Sequence, residues 1–250
     1  MKQQLTTQSD IIQLGTILSF WAHPDDETFS CAGIMAAAVA NGQRVICVTA
    51  TRGEEGVQDE NRWPQAQLPE IRTKELEDAL DILGVSEHFL LDYRDGTLES
   101  IPLDEGAMHV SNYISEYRPD TILTFGPEGM TGHADHKSVS RWVDEAVKAL
   151  DKAPTVYHAV ELRDHYERFM KEADERFDIF FNIDKPPIKE ANECQLCFTC
   201  SDDLCAKKCA ALRAMPSQTE RMTNSYDKDT LYQMFGSEAF VVAEPKWVFL

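Results

Sequence analysis

The sequence predicts an α/β fold of the Rossmann-like, doubly wound kind, built on a mostly parallel sheet. Three observations carry that expectation. Short apolar runs alternate with helix-patterned segments over the first two-thirds of the 250 residues, a spacing that implies parallel strands joined by crossover helices. Stop signals close the helical stretches, Asn41-Gly42 after one and Gly84 after another. Two clusters of histidine and acidic residues each follow a strand-like run, and doubly wound sheets bind ligands beyond the carboxyl ends of their strands.

Taken in order, Thr16–Trp21 is a short apolar run that ends in polar residues and reads as a buried strand. Thr28–Ala40, rich in Ala, Met and Val, reads as a helix. Arg44–Ala50 is β-branched and apolar, a second strand. Pro69–Leu83 has Pro at its start and apolar residues at Ile71, Leu76, Leu80 and Leu83, the pattern of an amphipathic helix. His88–Leu91 is a third strand and Met108–Tyr117 a helix. Thr121–Phe125 is a fourth strand, with a helix over His136–Leu150 behind it. Thr155–Leu162 and Phe177–Ile183 read as further strands.

This length suits one core, so residues 1–250 are expected to form a single domain with a cysteine-rich insertion at about 190–210. The formal net charge of -19 repels phosphate backbones and argues against a nucleic-acid partner. Met1 to Gln13 is polar and has no basic segment followed by an apolar run, so it does not read as a signal peptide. The apolar stretch around Gly33–Ala40 is too short to span a bilayer. A cytoplasmic protein without a membrane partner is therefore expected. Its seven cysteines are then expected as thiols or metal ligands rather than disulfides. Homo-oligomerisation is left open.

The first strand runs into Ala22-His23-Pro24-Asp25-Asp26-Glu27. One imidazole and two carboxylates at this spacing suit a divalent metal with nitrogen and oxygen ligands. A hydrolytic site also needs a base that does not bind the metal, and one of the two carboxylates can serve. Helix capping would explain one Asp but not His23. The fourth strand runs into Gly126-Pro127-Glu128-Gly129-Met130-Thr131-Gly132-His133-Ala134-Asp135-His136. His133 and His136, three apart, can face one side of a helix start. Asp135 can orient an imidazole by accepting its second N–H. Two histidines and a carboxylate suit zinc, and ferrous iron as well.

Ala-His-Pro-Asp-Asp-Glu followed by Gly-His-Ala-Asp-His resembles the LmbE-like (PIG-L) N-deacetylase family, from about Ile17 to Val143 and more weakly near Lys208–Gln218. The resemblance implies a zinc-dependent hydrolase that removes an acetyl group from an N-acetylglucosamine-type sugar or sugar conjugate. It implies metal ligands at His23, Asp26 and His136, a general base at Asp25, an oxyanion and amine partner at His133, and an acid at Asp135 that tunes this histidine. Thr51–Gly56 resembles the family's Gly-Glu loop. Arg72 matches an arginine that contacts the polar part of the substrate, and a surface ion pair with Glu75 is the alternative. Asp95 is a second substrate-contact candidate, with an Asp-Gly turn as the alternative. Met215 stands where the family usually has a histidine.

Cys194, Cys197, Cys200, Cys205 and Cys209 fall outside the resemblance. Their short spacing suits a second, structural zinc held by four thiolates. An iron–sulfur cluster is an alternative, although the proline that closes the bacterial ferredoxin run is missing, and free thiols are another. Cys31 and Cys47 sit in apolar segments and read as core. Three other readings stand beside the deacetylase. One is an amidase for a larger acyl or thiol conjugate. Another is a metal or redox sensor built on the cysteines, with an idle hydrolase site. The third, a dinucleotide oxidoreductase, lacks its glycine fingerprint after the first strand.

Overall fold

The structure, a computed structural model, describes residues 4–148 and 150–244. The expected helix over His136–Leu150 and the polar Met1 to Gln13 segment extend into residues outside that description.

Strands β1 (Ile17–Trp21), β2 (Val45–Thr51) and β4 (Thr121–Phe125) are buried along their whole length. That is the burial of parallel strands covered on both faces. β3 (Glu87–Tyr93) lies at one edge and is half-buried. β1 pairs in parallel with β2 and β4, β2 with β3, and β4 with β5 (Thr155–Leu162). The two-residue β6 (Ile188–Lys189) pairs with the end of β5. β7 (Leu196–Thr199) and β8 (Ser237–Val242) complete one sheet in the order β3-β2-β1-β4-β5-β8-β7. β8 runs antiparallel to both its neighbours, so the sheet is mixed at this edge.

The strand order changes direction between β1 and β4. Loops leaving those two strands diverge to opposite faces and open a crevice between them, the usual ligand position in such sheets. Both polar clusters leave from these two strands.

Helices cover the sheet. The short α1 (Gln8–Ile11) precedes β1, and α2 (Asp26–Ala40) follows it. α3 (Leu68–Leu83) has Pro in its first turn and ends at Gly84 with φ 83°, so both sequence signals act where expected. α4 (Leu103–Tyr117) packs on α5 (Ala134–Lys148). The short α6 (Arg163–His165) and α7 (Lys171–Phe177) flank a π-helical turn, Tyr166–Met170. α8 (Asp202–Arg213), α9 (Pro216–Thr223) and α10 (Lys228–Phe235) precede β8. No helix among the described residues is long and apolar enough to cross a membrane.

One expectation needs correction. Phe177–Ile183 is not a strand: Asp178 takes a left-handed conformation (φ 55°), and the Asp174 carboxylate accepts the Phe180 N–H at 2.8 Å, which fixes a turn. The cysteine-rich segment supplies edge strand β7 and helix α8, which packs on α2 and α3. Its thiols are all free, and they fall into two separate groups. Cys197 joins Cys194 in a small apolar cluster with Val160 and Ala239, whereas Cys200, Cys205 and Cys209 belong to the main core. Among the described residues no group with metal-ligand spacing contains a cysteine.

Helix α2 is broken at Cys31 (φ -149°, ψ 19°), which leaves backbone groups on both sides of the break without helical partners. A buried ion pair supplies them. Lys208 Nζ donates to Glu238 at 2.6 Å and to the Phe29 carbonyl at 2.8 Å. The Glu238 carboxylate accepts the Gly33 and Ile34 N–H groups, each at 2.8 Å. Gly33 is required here, because a Cβ would lie 2.3 Å from Cys200 Sγ. Removing one partner strands the other charge in the core. Lys208→Met is expected to cost about 3–5 kcal/mol of unfolding free energy, and the double variant Lys208→Met with Glu238→Gln to recover part of it. Denaturant titration of both variants checks this.

Candidate metal centre

His23, Pro24 and Asp25 link the end of β1 to the start of α2. Asp25 has φ 114°, a region that non-glycine residues occupy only at a cost. Several contacts hold it there. Its carbonyl accepts the Thr28 and Phe29 N–H groups, both at 2.9 Å. Its own N–H donates to the buried Glu27 carboxylate at 3.2 Å. Neither aspartate acts as a side-chain cap: Asp25 makes no cap bond, and Asp26 accepts the His23 N–H at 2.7 Å. Capping therefore does not explain this motif.

The second motif forms the loop from β4 into α5. Gly129 has φ 75°, and a Cβ there would press on the His133 carbonyl and the His136 side chain. His136 Nδ1 lies 2.9 Å from the Gly129 carbonyl. A carbonyl can only accept, so Nδ1 carries the proton and neutral His136 presents a lone pair on Nε2. The ring stacks on Phe125 at 4.0 Å between centroids, which fixes its plane.

His23 is oriented in the same way from the other side. Its Nε2 lies 2.9 Å from an Asp95 carboxylate oxygen and 3.4 Å from Asp135. Two acceptors there put the proton on Nε2 and leave the lone pair on Nδ1. The two lone-pair nitrogens, His23 Nδ1 and His136 Nε2, face each other at 3.1 Å. Asp26 brings a carboxylate oxygen to 3.5 Å from the first and 3.3 Å from the second. Two lone pairs and an anion directed at one another repel unless a proton or a metal ion lies between them. The donor set, two imidazole nitrogens and a carboxylate, is one that a divalent metal accepts, and the outer nitrogens are held as those of metal-bound histidines are.

The surrounding charges favour a cation at this point, which a proton on His23 supplies when no metal does. Burial pulls the His23 pKa down, but the carboxylates of Asp135, Asp26 and Asp95 outweigh it and hold it well above the ordinary value. Burial raises Asp26, yet the two imidazoles pull it below the usual range. Asp25 differs: burial pushes its carboxyl up to about 6 despite the Arg72 charge beside it. Burial, with the neighbouring His23 and His136 charges, keeps the His133 pKa low. The Asp135 N–H points at His133 Nδ1 at 3.2 Å, so the neutral ring keeps its proton on Nε2.

The site residues read from sequence meet here, with three differences in detail. Asp135 accepts the Gly96 and Leu98 N–H groups at 2.8 and 3.0 Å, and its carboxylate faces His23 rather than bonding to His133. Asp95 is buried against His23, where it is neither a free turn residue nor exposed to a ligand. Arg72 is 4% exposed and does not pair with Glu75. It donates to the carbonyls of Gly53 and Pro24 and to Asp25 at 3.1 Å, while Glu75 binds Ser217. Met215 is buried ahead of α9. The Gly129 carbonyl and the Glu27 contact were not foreseen. The position of Asp95, after β3 on the same sheet edge, was the available signal for its role.

The PIG-L family, described as GlcNAc-PI de-N-acetylase, matches residues 18–147, which contain both motifs and the crevice. The chain belongs to this family. Among PIG-L relatives, the 1D-myo-inositol 2-acetamido-2-deoxy-alpha-D-glucopyranoside deacetylase 1 of Catenulispora acidiphila is 35% identical over 50% of this chain and 46% of its own length. This chain thus spans about half the length of that relative. A probable N-acetyl-alpha-D-glucosaminyl L-malate deacetylase 2 of Bacillus cereus is 32% identical over 63% of this chain and 73% of its own. N,N'-diacetylchitobiose deacetylase from Pyrococcus horikoshii shares the fold, with a TM-score of 0.63, 21% identity, and coverage of 91% of this chain and 83% of that one.

If Asp95 fixes the His23 ring, Asp95→Asn should weaken divalent-metal affinity about 10–100-fold with all three ligands intact. Competition with a chelator measures it.

Proposed function

We propose that this PIG-L chain hydrolyses the amide of an N-acetylated amino sugar or sugar conjugate, with zinc at His23, Asp26 and His136. The observation that carries this reading is the convergence of two imidazole lone pairs and one carboxylate beside the part-buried carboxyl of Asp25. The deacetylase relatives support the choice of substrate class. Zinc held by these three residues would supply a Lewis acid that polarises an amide carbonyl and acidifies water.

The protein groups divide the rest. Asp25 is raised into the range where a carboxylate is a competent base near neutral pH, and it takes a proton from the attacking water. Arg72 and the motif backbone hold that carboxylate in place. His133 directs its Nε2–H at the charge that develops on the carbonyl oxygen. As the C–O bond to water forms and the C–N bond breaks, the proton that Asp25 took from water passes to the nitrogen while His133 holds the oxyanion, and the products are a carboxylate and an amine. Asp95 and Asp135 keep His23 in one tautomer throughout.

Two variants test the division of roles, with amine release from N-acetylglucosamine conjugates as the assay. Asp25→Asn is expected to lower kcat about 10²–10⁴-fold while metal content stays at the wild-type level. His133→Ala is expected to lower kcat about 10²–10³-fold with little change in KM, because its contact forms only as charge develops. A wild-type rate for either variant removes that residue from the reaction.

A further inference from the structure

An apolar chamber of about 260 Å3 adjoins the metal centre, with Asp25, Asp26 and His136 in its wall, and no cysteine lines it. Six of the seven cysteines are buried, and Cys197 alone is partly open to solvent. It lies on β7, the outermost strand, in register with Ala239 of β8. β5 and β8 stand between β7 and β4, so three strand spacings, roughly 14 Å, separate this edge from the crevice.

Cys197 has a thiol partner. A short 3-10 turn, Ala191–Glu193, leads into Cys194, and the chain bends again at Gln195. Cys194 Sγ lies 3.6 Å from the Glu190 carbonyl, and Cys197 Sγ lies 3.7 Å from the next carbonyl, that of Ala191. The two thiols placed in this way are hydrogen-bonded to each other, with Cys194 as the donor. A side-chain amide is aimed at the same point. Gln4 Nε2 lies 3.2 Å from Cys197 Sγ, 3.0 Å from the Cys194 carbonyl and 2.6 Å from the Ala191 carbonyl. The Cys194 and Gln4 donors outweigh burial and hold the Cys197 thiol below its ordinary pKa. The same bond, with burial, holds Cys194 above it. Two thiols are half the ligands of a closed structural zinc site, and among the described residues no metal-binding group includes either of them.

We infer that Cys194 and Cys197 form a dithiol site for thiol–disulfide exchange, with a low-molecular-weight disulfide as the oxidant. Cys197 attacks and Cys194 resolves. The Cys197 thiolate bonds to one sulfur of the small disulfide, whose S–S bond breaks and releases one small thiolate. Cys194 Sγ then attacks Cys197 Sγ and displaces the second small sulfur, which leaves with the Cys194 proton. Two electrons pass from the dithiol to the small disulfide, and the products are a Cys194–Cys197 disulfide and two small thiols. Excess small thiol drives the reverse reaction. Cys200 and Cys205 are hydrogen-bonded in a similar way, but both are buried in the main core, beyond reach of such a reagent.

The test treats the reduced, metal-loaded protein with glutathione disulfide, alkylates the remaining thiols and maps them by peptide mass spectrometry. Wild type is expected to form the Cys194–Cys197 disulfide, and excess glutathione is expected to reopen it. Cys194→Ser lacks the resolving thiol and is expected to retain about one glutathione per chain, on Cys197. Cys197→Ser is expected to take up glutathione at least about tenfold more slowly, since the thiol that remains is buried and poorly ionised. A wild-type protein in which both thiols stay free, or in which Cys197 keeps glutathione without closing on Cys194, overturns the inference. Glutathione uptake at Cys194 in Cys197→Ser at the wild-type rate overturns the assignment of the attacking thiol. If either variant fails to fold, the wild-type map alone decides.

Discussion

Two imidazole nitrogens held 3.1 Å apart, with a carboxylate beside them, constrain everything around them. No neutral arrangement satisfies them, because their outer nitrogens are committed to the Gly129 carbonyl on one side and to Asp95 and Asp135 on the other. Asp26 adds negative charge to the same point. The site is thus organised around a cation. The acids of the second layer keep both rings in the tautomer that offers a lone pair inward. Asp25, a few atoms away, is held by Arg72 and lies outside the facing pair. One carboxylate of the Asp-Asp pair faces the cation position while its neighbour can take up a proton, and the backbone twist at Asp25 separates the two roles.

That twist depends on the scaffold. The sheet brings the ends of β1 and β4 side by side, and α2 and α5 start from the two motifs. The break in α2 and the Lys208–Glu238 pair that bridges it tie the first turns of this helix to β8 at the far side of the sheet. The same pair forms part of the chamber wall. The segment after β5, with its π-helical turn, together with α10, supplies much of the remaining apolar lining. The family-matched half of the chain therefore holds the facing histidines and carboxylates, and the remainder closes the space beside them.

Legibility in the sequence follows the same division. β1, β2 and β4 were readable because fully buried parallel strands are short continuous apolar runs, and α3 because Pro and Gly84 mark its ends. The strand expected at Phe177–Ile183 failed because apolar content alone does not distinguish a strand from an apolar loop that lines a chamber; Ile179 and Phe180 face that space. β7 and β8 were missed because their pairing is antiparallel and distant, which local pattern does not report. The cysteines invited a metal-site reading from spacing, but Cys197 and Cys200 fall into separate groups. The motif residues were legible as a set. Which acid faces which histidine was not, because that depends on where β3 delivers Asp95 and where the Gly96–Leu98 backbone meets Asp135.

The central claim is that His23, Asp26 and His136 hold a divalent metal. The direct measurement is elemental analysis of purified wild type beside the double variant His23→Ala with His136→Ala, with circular dichroism to establish that both are folded. The account predicts about one zinc per wild-type chain and its loss from the folded variant. Equal metal content in the two proteins would place the metal elsewhere and contradict the account.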